Sequence, residues 1–225
     1  MSEPRYTPLR ARHEALGASF TDFGGWQMPV RYTSDLAEHH AVREAAGVFD
    51  ISHMAEFDVR GAQAAEYLDY ALAGRLSALV TGKAKYSLLL AEDGGIIDDV
   101  IVYRLGEAEF FIISNAGNRD AVREALAARA DGFAVAVSDV SDDYALIAVQ
   151  GPASEEIVAA IGGLEEVSVP WAEQRYYAWA SATFAGRPVL VARTGYTGED
   201  GFELLVAAAD AEALWDAVLA AGGPR

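Results

Sequence analysis

The chain has 225 residues, 52% hydrophobic and 23% charged, a composition that excludes a disordered polypeptide and allows a core without disulfide or metal staples. It has no cysteine, which removes disulfides, thiolate metal ligands and a cysteine nucleophile, and its 34 acidic and 17 basic residues give a net charge of −17, which repels nucleic acid. No run approaches the roughly 20 apolar residues of a membrane span and the start, MSEPRYTPLRARHEALG, has no apolar signal core, so a soluble cytoplasmic protein with neither membrane nor nucleic-acid partner is expected.

In chain order, residues 8–16 read as a short helix. Thr33 or Ser34 caps a second, in which Leu36, Ala37, Ala41, Val42 and Ala45 keep helical spacing until Gly47 ends it. Residues 56–60 alternate as a strand, Gly61 turns the chain, and 62–73 predict a helix with Tyr67, Leu68 and Ala71 inward. Residues 83–91 and 96–105 predict strands joined by the hairpin loop Glu92-Asp93-Gly94-Gly95. A strand at 109–114, a helix at 119–130 and a strand at 133–137 lead to an acidic turn, 138–143, that suits a subdomain boundary. Beyond it come a strand at 144–149, a helix from Gly151-Pro152 to Ile161, paired strands at 176–184 and 189–193, and a last strand at 202–206. A helix at 210–221 then runs into the loop-forming residues 222–225. Short hairpins and helices too few for a parallel sheet predict an α+β fold with mainly antiparallel sheets. Two intertwined subdomains are expected, about 1–54 plus 142–225 and about 55–141.

In the run Ile96-Ile97-Asp98-Asp99-Val100-Ile101-Val102-Tyr103, strand alternation puts one carboxylate on each face. If both faces are packed, at least one of the two acids leaves water, at a cost of several kcal/mol unless a partner compensates. The alternative is a solvated face at the hairpin end. In 193–203, three glycines recur at three-residue spacing, but there is no lysine, and Glu199 and Asp200 stand where phosphate charge would fall. A loop around a neutral or cationic ligand fits better, and Glu203, between Phe202 and Leu204, can accept paired hydrogen bonds from an amidine-like edge unless it is an edge-strand surface residue. Tyr86, Asn115 and Tyr196 are further candidates for lining such a site. His39 and His40 diverge on their helix and do not make a zinc-gripping pair, so no metal is expected.

Taken together and in order, DFGGWQMPV at 22–30, EHHAVR at 38–43, GVFDISHM at 47–54, GGIIDD at 94–99, VQGP at 149–152 and RTGYTGE at 193–199 resemble the glycine cleavage T-protein, or aminomethyltransferase, family, along nearly the whole chain. That resemblance implies transfer of an aminomethyl carbon from the dihydrolipoyl arm of the lipoylated H-protein to tetrahydrofolate, with release of ammonia. It implies Asp99 as the functional carboxylate near the folate nitrogens, acting by charge or by taking a proton. Glu203 would grip the pterin edge, with Tyr86, Asn115 and Tyr196 as pocket neighbours. The family continues with a glycine-rich stretch, a folate-contacting arginine and a carboxy-terminal β-barrel, so the 225 residues are expected to fold yet be inactive alone. A folate-dependent demethylase of the same fold, or a non-catalytic folate-binding module, is the competing expectation.

Overall fold

A computed structural model describes residues 3–222, in two compact units, Met1–His53 with Asp142–Arg225 and Met54–Ser141. The loop-forming run expected at 223–225 lies outside the described residues. In the first unit, α1 (Arg10–Ala15) precedes an antiparallel hairpin of β1 (Ser19–Phe23) and β2 (Trp26–Arg31). The hairpin, not anticipated from the sequence, turns at Gly24 and Gly25, whose φ angles of 62° and 87° suit the tight turn that matches strand twist. Next, α2 (Asp35–Glu44) begins at Ser34, whose Oγ accepts from the Ala37 N–H at 3.2 Å. The helix ends at Glu44, short of Gly47, because Ala45 leaves the helical region at φ −141°. Gly47 instead opens β3 (Gly47–Asp50), where a Cβ would stand 2.6 Å from Val42 Cγ2. The apolar spacing of α2 does not give a covered face: none of its residues is buried and Leu36 is 67% exposed.

The second unit is continuous in sequence. It comprises β4 (Ala55–Arg60), α3 (Ala64–Ala71), β5 (Ala84–Leu90), β6 (Ile96–Arg104), β7 (Glu109–Ser114), α4 (Arg119–Arg129) and β8 (Ala136–Asp139). The strands form one antiparallel sheet in the order β5-β6-β7-β4-β8. Tyr67 and Leu68 of α3 and Val122 and Leu126 of α4 bury against Phe57, Val59, Val100, Val102, Phe110 and Ile112 on one sheet face. The Tyr67 hydroxyl donates to Leu126 O at 2.7 Å, satisfying the polar end of a wholly buried ring. The strand expected at 133–137 starts only at Ala136, since Phe133 N–H closes a turn on Ala130 O and Gln63 Oε1 takes the Ala134 N–H at 2.8 Å. Those groups are then lost to the ladder.

The first unit resumes with β9 (Tyr144–Gln150), α5 (Ser154–Ala159), β10 (Leu164–Glu165), β11 (Trp179–Phe184), β12 (Arg187–Ala192), β13 (Gly201–Ala207) and α6 (Ala211–Gly222). Its six-stranded antiparallel sheet runs β10-β11-β12-β13-β9-β3, with short strands at both edges, which limits edge-to-edge association. β11 starts at Trp179 and not at 176 because Tyr177 sits at φ 56°, outside strand geometry. Leu214, Trp215 and Val218 of α6 pack on Val149, Phe202 and Leu204, each large side chain contributing about 1.5–3 kcal/mol by leaving water. The named ladders are all antiparallel and helices cover the sheets, an α+β fold.

Candidate functional site

Two clusters and a groove carry the chemistry. In the second unit the alternation of β6 separates the paired acids sharply. Asp98, 2% exposed, shares the packed face with Leu89 and Val100, whereas Asp99 is exposed. The acid drawn out of water is therefore Asp98, and the face bearing Asp99 is open at the hairpin end. Asp98 is compensated from within: its Oδ2 accepts from Asn115 N–H at 2.9 Å, and its Oδ1 from Asn115 Nδ2 at 2.9 Å and Asn118 Nδ2 at 2.7 Å. The Asn115 amide group also donates to Asp99 Oδ1 at 3.0 Å, so Asn115 joins the two carboxylates. Leu88 lies opposite Asp99 and Tyr86 two residues along β5, on the same sheet face, with both side chains exposed. The face thus offers a carboxylate beside an aromatic ring and an aliphatic chain.

In the first unit, Glu203 lies in β13 between β12 and β9, pairing with Ala192 and Ala148. It is an interior strand residue, not an edge one, and its Oε2 accepts from the Thr194 hydroxyl. The glycine-spaced segment proves to be built around Gln150, which the sequence places in the VQGP motif without a role. Gln150, 1% exposed, donates from Nε2 to Thr194 O at 3.0 Å and accepts from the Thr197 hydroxyl at 2.9 Å. A Cβ on Gly195 or Gly201 would come within 1.9 Å or 2.2 Å of its amide. The loop's acids are held by arginines: Arg43 reaches Glu199 at 2.7 Å, and Arg193 Nε donates to Asp200 Oδ1 at 3.0 Å. Tyr196 stands 93% exposed at the rim of a groove of about 720 Å³.

That groove is lined by Val30, Tyr32, Val42, Phe49 and Tyr196 among others, and its lining residues Tyr32 and Asp50 belong to a polar chain that no spacing rule predicts. His13 Nε2 meets Asp50 Oδ2 at 2.8 Å, Nδ1 meets the Tyr32 hydroxyl at 2.8 Å, and Thr7 donates to the same Asp50 oxygen at 2.5 Å. Burial pushes the Asp50 carboxyl up, but hydrogen bonds from His13, Thr7 and Ser52 outweigh it and hold Asp50 below the ordinary carboxylate range. Burial, with the charges of Asp50 and Glu38, pushes the Tyr32 phenol up to about 12, so it stays protonated at neutral pH. His53, edge-on to Phe23, is lowered by burial despite the opposing pull of Asp50. These contacts join residues up to 43 positions apart, which explains why sequence reading missed them.

Among the described residues no group of three or more His, Asp or Glu is placed to hold a metal ion, and no helix is long and apolar enough to cross a membrane.

Comparison with known proteins gives concordant results. The GCVT N-terminal domain family matches residues 9–225. An aminomethyltransferase of Saccharopolyspora erythraea is 52% identical over 222 residues, covering 99% of this chain and 59% of the relative. An aminomethyltransferase of Corynebacterium jeikeium is 54% identical over 226 residues, covering 96% of this chain and 58% of the relative. The crystal structure of the glycine cleavage system aminomethyltransferase T from Bartonella henselae superposes with a TM-score of 0.87 at 38% identity, covering 96% of this chain and 57% of that one. The heterotetrameric sarcosine oxidase of Corynebacterium sp. U-96, 18% identical with a TM-score of 0.57, shares the fold over 84% of this chain and 93% of that one. The chain spans a little under three fifths of the length of the curated relatives quoted. The chain belongs to the GCVT N-terminal domain family, that of the glycine cleavage T-protein.

Proposed function

We propose that these residues form the folate-binding part of an aminomethyltransferase, which moves the aminomethyl carbon from the dihydrolipoyl arm of the H-protein to tetrahydrofolate and releases ammonia. The two compact units are read as the two subdomains of that part, with the whole reaction belonging to an enzyme of the relatives' full length. The observation that carries the reading is Asp99, an exposed carboxylate on β6 oriented by Asn115 Nδ2 at 3.0 Å, in a chain whose relatives bear the aminomethyltransferase name.

In the transfer the carbon exchanges its bonds to the dihydrolipoyl sulfur and to the amine for bonds to two folate nitrogens, the two N–H protons passing to the departing thiolate and ammonia, and positive charge develops on nitrogen along the way. A fixed carboxylate stabilises that charge more than it stabilises the neutral reactants. Tyr86 and Asn115 are assigned as folate contacts beside Asp99, and Tyr196 as a contact of the first unit. Glu203, anchored by Thr194, is assigned the paired N–H edge of the pterin ring, a charge-assisted contact. A cytoplasmic site of action follows from the same reading.

The test is Asp99→Asn in the full-length enzyme, with lipoylated H-protein as donor. The amide preserves shape and removes charge, so tetrahydrofolate affinity by calorimetry should stay nearly constant while turnover falls by roughly 10²–10³. Unaltered turnover would overturn the assignment of Asp99.

A further inference from the structure

Asp98 is a buried carboxylate that the reading above gives nothing to do. Burying an acid costs several kcal/mol unless donors surround it, and here they come from one short stretch, Asn115 to Asn118. The use of Asn118 is informative. It occupies the cap position of α4, where an asparagine side chain ordinarily accepts from the first turn of the helix, yet it makes no capping bond. Its amide points to Asp98 instead, at 2.7 Å. The Asn118 side-chain bond thus goes to the buried acid and not to the helix end.

The effect is on the orientation of Asn115. Its Nδ2 group faces Asp98 Oδ1 at 2.9 Å and Asp99 Oδ1 at 3.0 Å, while its backbone N–H is fixed on the other Asp98 oxygen at 2.9 Å. Turning the Asn115 amide over would set its carbonyl oxygen against two carboxylates. Asp98 therefore anchors Asn115, by backbone and side chain together, in the amide orientation that donates to Asp99.

We propose that Asp98, with Asn118, is a positioning residue that acts through Asn115 to hold the Asp99 carboxylate in its reactive orientation. Asp98 itself lies on the packed face and does not touch the substrate. The proposal rests on the role given to Asp99 above. Replacing Asp98 by Asn puts an amide among amide donors, leaves Asn115 held only from the Asp99 side, and keeps the side-chain volume unchanged.

In the full-length enzyme, Asp98→Asn should lower kcat roughly ten- to a hundredfold, the penalty of a misplaced catalytic group, with KM for tetrahydrofolate nearly unchanged. Asn118→Ala, which removes only one donor, should shift kcat the same way by less. If Asp98 works through Asn115, adding Asp98→Asn to Asn115→Ala should cost little beyond Asn115→Ala alone, whereas independent roles would add. A buried acid that served folding alone would lower melting temperature and active fraction without this split between kcat and KM or this non-additivity. Full turnover in a folded Asp98→Asn enzyme, or simple additivity with Asn115→Ala, overturns the proposal. If Asp98→Asn does not fold, Asn118→Ala and its combination with Asn115→Ala decide by the same two criteria. Normal turnover in Asp99→Asn overturns the preceding reading as well, whereas an impaired Asp99→Asn beside an unimpaired Asp98→Asn overturns this one alone.

Discussion

Gln150 and Gly195 are in such close approach that a methyl group on Gly195 would stand 1.9 Å from Gln150 Oε1. No rotamer adjustment is cheap there, since the amide is buried and bonded to both Thr194 O and the Thr197 hydroxyl. The glycine-rich segment is thus shaped first by a protein side chain. Gly195→Ala should lower stability by about 1–3 kcal/mol through overpacking, read as a fall in the denaturation midpoint. Gln150→Ala in the same background should recover part of that loss. A stability loss that is simply additive for the two substitutions would contradict the clash.

α2 depends on its ends, because it has no buried residue to anchor it. Ser34→Ala removes the bond to Ala37 N–H and should cost about 1 kcal/mol, confined to the helix. Amide hydrogen exchange along α2 should accelerate roughly fivefold while the sheet amides keep their protection. Equal acceleration in β9 and β13 would show that the cap supports the whole unit.

The pH dependence of stability should have two separate components on the acid side. The folded-state value of His53 lies below its unfolded value of about 6.5, so the fold favours neutral imidazole; its contribution is complete above that pH and is lost as pH falls towards the folded value. Asp50 is also lowered, so its contribution is present above about pH 3.9 and disappears only as pH falls through its still lower folded value. Denaturant titrations at stepped pH should show a decline beginning below about pH 6.5 that His53→Gln abolishes, leaving the later one intact. A wild-type slope in His53→Gln would remove His53 from the account.

Glu203→Ala should weaken tetrahydrofolate binding by roughly 1.5–3 kcal/mol, the worth of a desolvated charge-assisted acceptor. Calorimetry on the full-length enzyme checks it. Affinity equal to wild type would remove Glu203 from the pterin contact.

Legibility followed the range of the interactions. The strand at 109–114, the hairpin at 92–95 and the inward face of α3 are set by alternation, turn glycines and helical period, all local, and the structure has them where they were expected. Alternation also separated Asp98 from Asp99, but which of them is covered depends on α3 and α4 packing on the sheet, a property no short window carries. The Gly24-Gly25 hairpin carries a legible turn signal, two adjacent glycines at positive φ, although its strands lack clean apolar alternation. The Gln150 cradle and the His13–Asp50–Tyr32 chain were out of reach, since each joins residues tens of positions apart.

Because β3 pairs only with β9, its partner lies about a hundred residues downstream, across the whole of Met54–Ser141. During synthesis at roughly 5–20 residues per second, β3 would wait several seconds after emerging before Tyr144–Gln150 followed it. The delay is shorter in the second unit, where β5, β6 and β7 pair with their neighbours in sequence and β4 waits only for β7, about fifty residues on. Completion of the six-stranded sheet should therefore follow formation of the middle segment, with β3 held in reserve. Substitutions that slow the middle segment lengthen the time an incomplete six-stranded sheet is exposed to other chains, so yield in the cell should be more sensitive to changes in β4–β8 than equilibrium stability alone would suggest.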